Sequence, residues 1–137
     1  MAEKSGANMG HTPPDDAWLE SLQEEILEPD LEIVDPHHHL WMRGGYRYLI
    51  PELAADLASG HNVVSTVYAE CRSMYRPDGP EAEKPLGETE FVTGCAAMAA
   101  SGAFGPTRAC AAMFGRVDMT LGAGVRPLLE KHLERSD

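Results

Sequence analysis

The chain has 137 residues, 43% of them hydrophobic, 24% charged and only 7% aromatic, the proportions of one folded domain and not those of a disordered tail or a membrane protein. This length can bury a core, yet it falls far short of the roughly 250 residues of a complete (β/α)₈ barrel. The formal net charge is −11, and no Lys or Arg occurs between Ser5 and Met42, where Asp15, Asp16, Glu20, Glu24, Glu25, Glu28, Asp30, Glu32 and Asp35 fall. An acidic front end without a clustered basic patch excludes a nucleic-acid partner, because such binding draws its affinity from cations on phosphates.

Residues 1–11, rich in Gly, Ser and Asn, read as a disordered tail, and residues 12–137 as the folded part. Thr12-Pro13-Pro14-Asp15 is a helix-start signature, with a hydroxyl cap and a proline at the first helical position. Trp18, Leu19, Leu22 and Ile26 then recur at helical spacing until Pro29, which predicts an amphipathic helix whose acids form its solvated face. Leu31 to His37 is a short β-type run. Residues 51–60 predict a helix closed by Gly60, and Asn62 to Cys71 (NVVSTVYAEC) a strand buried on both faces, as in a parallel sheet. Residues 72–87 hold three prolines and two glycines and read as a long loop. Glu88 to Ser101 is a helix with Phe91, Cys95, Met98 and Ala99 inward; Gly87 permits the turn into it. Thr107 to Phe114 is a third strand, and Leu121 to Arg135 a helix with Val125, Leu128, Leu129 and Leu133 inward.

A helix followed by three strand–helix units predicts an α/β fold with a parallel sheet and right-handed crossovers. The long connections leave the first two strands, so elaboration sits at the strand C-terminal ends, where α/β proteins place their sites. Cys71, Cys95 and Cys110 are odd in number and contain no CxxC, which predicts buried thiols in a reducing compartment. With no signal peptide and no run of about 18 apolar residues, the expected location is the cytoplasm, away from any membrane.

His37, His38 and His39 stand where the first strand runs out. A period of two places His37 and His39 on one face and His38 on the other. Two imidazoles at alternate positions can bind one divalent metal, zinc or a similar ion, although a catalytic zinc usually takes three protein ligands. From His-x-His alone, a ligand pair and an exposed turn are equally good readings; the strand-end position favours the ligands. His11, His61 and His132 read as structural, His132 lying near a helix C-terminus where its protonated form suits the dipole.

The segment IVDPHHHLW, followed by GHNVVSTVYAECRSMYRPDGPEAEKPLGETEFV, resembles the start of the amidohydrolase-related enzymes of the amidohydrolase superfamily, a group of metal-dependent-hydrolase-like proteins that includes lactonases. The likeness runs from about Trp18 to the C-terminus. It implies the first part of a (β/α)₈ TIM barrel, with a front helix and about three of its βα units, whose His37 and His39 point into the metal or substrate pocket. One local departure is Met42, where relatives often carry an acid.

The implied reaction is hydrolysis of a lactone, ester or amide carbonyl in a small-molecule substrate. A metal would polarise the carbonyl or deliver hydroxide, although some lactonases of this group work without one. His37 and His39 are then ligands or carbonyl-orienting donors, and Glu70 a further catalytic candidate, unless it merely pairs with Arg72 or Arg76. Arg72, Tyr75 and Arg76 are candidates for holding a substrate carboxylate; exposed loop charges are the equal alternative. Glu88 reads as a helix-start residue at the favourable end of the dipole. Rival readings are a decarboxylase on the same scaffold and a small non-catalytic α/β binding module. About three of eight units should lack turnover and be poorly folded or self-associating, a homo-oligomer included, because strand edges stay open.

Overall fold

The computed structural model describes residues 15–136; the expected tail and the Thr12 cap lie outside them. The front helix is one turn, α1 (Asp16–Leu19), capped by Asp15, whose Oδ1 accepts from Trp18 N at 3.1 Å. The expected continuation to Ile26 is absent. An isolated helix is marginal unless it buries its apolar stripe, and Trp18 and Leu22 are each 72% exposed.

Three parallel strands, β1 (Ile33–His38), β4 (Val63–Ala69) and β5 (Arg108–Phe114), form one sheet in the order β1-β4-β5. Between β1 and the next helix lies an antiparallel hairpin, β2 (Trp41–Arg43) and β3 (Tyr46–Tyr48), which pairs Trp41 with Tyr48 and Arg43 with Tyr46. Gly44 and Gly45 turn it with φ of 56° and 84°, the two left-handed positions that a tight hairpin turn requires. Helix α2 (Ile50–Leu57) follows, and the amide of its N-cap residue Leu49 donates to Glu52 Oε2 at 2.9 Å. Helix α3 (Leu86–Ala100) begins two residues earlier than expected, and α4 (Val125–Ser136) follows a short 3₁₀ stretch.

The core forms where the inner sides of α2 and α3 meet one face of the sheet: Leu40, Ile50, Leu53, Tyr68, Val92, Cys95, Ala99, Ala109 and Cys110 are buried together. Val92 and Ala99 carry the inner face of α3, whereas Met98 is 44% exposed; on α4, Val125 and Leu128 are buried but Leu129 and Leu133 are not. The other sheet face is open among the described residues. Val67 and Ser65 on it are half-buried and Val34 and Phe114 exposed, so the central strand is covered on one face and not on the two expected.

The sheet shifts register three times, once between Ile33 and Val34 and twice nearer the site. From Asp35 to His38 three steps on β1 match two on β4, a bulge at Pro36 and His37, where proline has no N–H to give the ladder. On β5 the steps from Arg108 to Ala112 match Ser65 to Val67, and Cys110 in this bulge takes a φ of 55°. Bulges re-aim the side chains beside them. No helix among the described residues is long and apolar enough to cross a membrane.

Candidate functional site

β1 releases its last residues at the C-terminal end of the sheet. His38 turns into the protein, where it is buried, meets Thr66 Oγ1 at 2.8 Å and lies edge-on to the Tyr68 ring. His37 and His39 turn the other way. Their Nε2 atoms stand 3.2 Å apart with the rings nearly perpendicular, at 89°. His39 is further fixed because its Nδ1 lies 2.8 Å from the carbonyl oxygen of Ala69. A carbonyl can only accept, so Nδ1 carries the proton and Nε2 presents its lone pair. His37 is oriented by its backbone, whose N–H donates to Asp35 Oδ1 at 3.0 Å.

The separation of the two Nε2 atoms fits shared ligation. Two nitrogens at about 2.0–2.1 Å from one zinc at a tetrahedral angle lie about 3.4 Å apart, and a carbonyl-bound Nδ1 is the usual outer support of a metal-binding histidine. Among the described residues, no third His, Cys, Asp or Glu completes a metal-holding group with them.

The hairpin builds a wall beside this pair. Trp41 stacks on His39 with ring centres 5.7 Å apart and planes 24° from parallel, and the Arg43 guanidinium lies 5.6 Å from the Trp41 ring centre. Arg43 also donates to the carbonyl of Cys71. The sequence reading passed over both residues, although Gly44-Gly45 between alternating aromatics is a hairpin signal.

The other candidates are spread over the segment that leaves β4. Glu70 N donates to Phe114 O at 3.0 Å, and its Oε1 is 3.6 Å from Arg116 Nη1; the cation beside it is thus Arg116, and not the Arg72 or Arg76 of the alternative reading. Glu70 Oε2 and the Tyr75 hydroxyl are sealed from solvent without a hydrogen-bond partner among the described residues. Burial pushes the Tyr75 hydroxyl up to about 12. Arg72 is exposed, on a backbone with φ of 63°. Arg76 is drawn to α3, where its Nε donates to Glu90 Oε2 at 3.3 Å and where Arg135 shares the same carboxylate. The three residues therefore do not present a common fork.

Glu88 differs most from its sequence reading. It is 4% exposed, and its Oε1 accepts from Tyr68 OH at 2.7 Å, Cys71 N at 2.9 Å and Ser73 N at 3.0 Å. A signal existed, since Glu88 precedes Val92 by four residues and Cys95 by seven and so shares their apolar stripe. His132 is also corrected. It is half-buried against Thr89 Oγ1 at 2.7 Å, and burial lowers its pKa, which favours the neutral ring over the helix-end cation. Burial pushes the Cys95 thiol up to about 11 and the Cys110 thiol up to about 12, the state of unreactive sulfur. Comparison with models of protein families, with curated proteins and with solved structures finds no match.

Proposed function

We propose that this chain supplies the first βα units of an amidohydrolase-type (β/α)₈ barrel that hydrolyses a lactone, ester or amide carbonyl in a small-molecule substrate. The observation that carries the reading is the convergence of His37 Nε2 and His39 Nε2 to 3.2 Å at the C-terminal end of β1, with His39 held in one tautomer by Ala69 O. The pair fits a divalent metal, zinc or a similar ion, as two of its ligands. Such an ion supplies Lewis-acid polarisation of the carbonyl and an acidified water.

The protein's own part is orientation. Ala69 O keeps the proton of His39 on Nδ1, so that Nε2 always faces the site. In the metal-free form His37 Nε2–H donates to that lone pair, and a substrate carbonyl oxygen would take this N–H only by displacing the contact. Trp41 covers one side of His39 and limits its access to water. Glu70, adjacent to Ala69, brings a carboxylate to the same end of the sheet.

Calorimetric titration with zinc tests the pair. One ion is expected per chain, bound at least about tenfold more weakly after His37→Ala or His39→Ala, since each removes a direct ligand. Unchanged affinity in both variants would remove the pair from any metal site. Lactone turnover by these first βα units alone is expected to be absent. Carbon dioxide released from a carboxylated substrate by an uninterrupted homologue would replace hydrolysis by decarboxylation on the same scaffold.

A further inference from the structure

The parallel ladder ends at Ala69, yet the backbone beyond it is closely held. The Ala69–Glu70 peptide is planar, so its N–H and C=O point in opposite directions. The N–H of Glu70 donates to Phe114 O at 3.0 Å on the β5 side, and Ala69 O meets His39 Nδ1 at 2.8 Å on the β1 side. The His39 ring thus occupies the place of the next rung of the ladder.

Past this rung, Arg72 and Met74 adopt left-handed φ of 63° and 52°, and among the described residues no strand partner remains for the amides of Cys71 and Ser73. Buried amides need acceptors. Both donate to the single oxygen Glu88 Oε1, which also takes the Tyr68 hydroxyl proton. The opposite side of Cys71 is held by Arg43, which donates to its carbonyl. The clamp is rigid because it stands on the first turn of α3, where Gly87 lies against the same loop: a Cβ there would come within 2.5 Å of Met74 O and 2.8 Å of Arg76 N.

We infer that Glu88 is the positioning residue of the His37–His39 pair, fixing the Ala69 carbonyl, and through it the His39 tautomer, by way of the Cys71 and Ser73 amides. The inference rests on reading that pair as the reactive centre. Glu88 touches neither histidine; it sets the angle of the peptides that follow Ala69.

The test is nitrogen-15 NMR of the histidine rings in the full chain, combined with zinc titration. The unaltered protein should show His39 as one Nδ1–H tautomer, with slow exchange of the Cys71 and Ser73 amides. Glu88→Gln should give a mixture of His39 tautomers and zinc binding weakened about tenfold, the usual effect of losing outer support. Tyr68→Phe removes one donor to the same oxygen and leaves both loop amides in place, so His39 should keep its tautomer. A folded Glu88→Gln protein with His39 unchanged would overturn the inference. Should Glu88→Gln fail to fold, rapid exchange of the Cys71 and Ser73 amides in the unaltered protein would overturn it equally. If the unaltered protein binds no zinc, the metal reading of the pair falls, while the tautomer measurement still decides the role of Glu88.

Discussion

The Thr66 hydroxyl, fully buried in the central strand, receives the Cys110 amide proton at 3.0 Å and meets His38 Nε2 at 2.8 Å. A hydroxyl has one proton to give. Its oxygen accepts from the Cys110 amide and keeps its proton and a second lone pair for the His38 ring. One oxygen thus serves both the bulged amide of β5 and one nitrogen of the buried β1 imidazole, whose Nδ1 has no hydrogen-bond partner among the described residues. Thr66→Val keeps the shape and removes both bonds, and should lower stability by about 2–4 kcal/mol in urea unfolding, from two buried groups left unsatisfied; Thr66→Ser should cost much less. His132 gives the pH-dependent counterpart. Its pKa is lowered by burial, so the unfolded chain binds the proton more tightly than the folded one. The stability it contributes is complete above the unfolded value of about 6.5 and is lost as pH falls from there towards the lowered folded value. Melting temperatures across this range should fall more steeply for the unaltered protein than for His132→Asn; equal slopes would remove His132 from the pH response.

At the level of elements, the three parallel strands were legible because their β-type runs are bounded by Gly, Pro or Asn, whereas the short hairpin strands β2 and β3 were missed. Helices α2, α3 and α4 were equally legible from apolar spacing. The front helix was misread because spacing reports a potential apolar face, whereas a helix persists only where that face is covered. The pairing of His37 with His39 followed from the period of two, but the bulge at Pro36 did not, and neither did the turn of His38 towards Thr66. Glu88 was obscured by its neighbours Gly87 and Glu90, which together look like an ordinary helix start. Gly87 itself is needed inside α3 and not before it, because the loop backbone passes where its side chain would be. Gly87→Ala should therefore destabilise the chain by about 1–3 kcal/mol, the usual cost of overpacking against backbone. Unfolding by denaturant checks this, and an unchanged midpoint would show that residues 74–76 can withdraw freely.

For the molecule as a whole, helices cover one sheet face and leave Val34 and Phe114 bare on the other, at 55% and 62% exposure. Unpaired edges beside an apolar face promote association. Sedimentation velocity should show a weight-average mass that rises with protein concentration, and Phe114→Lys, at the meeting of open face and open edge, should return the chain towards a monomer. A concentration-independent monomer for the unaltered protein would show that the bare face is tolerated in water.

Each free edge carries its own irregularity. A strand laid along β1 meets the displaced backbone at Pro36, and one laid along β5 meets the bulge at Cys110 with its left-handed φ of 55°. Neither edge offers a regular run of N–H and C=O groups, and edge bulges are among the devices by which sheets resist growth by strand addition. The same two kinks that re-aim side chains inside the sheet thus leave the bare face, and not the edges, as the surface where copies would meet.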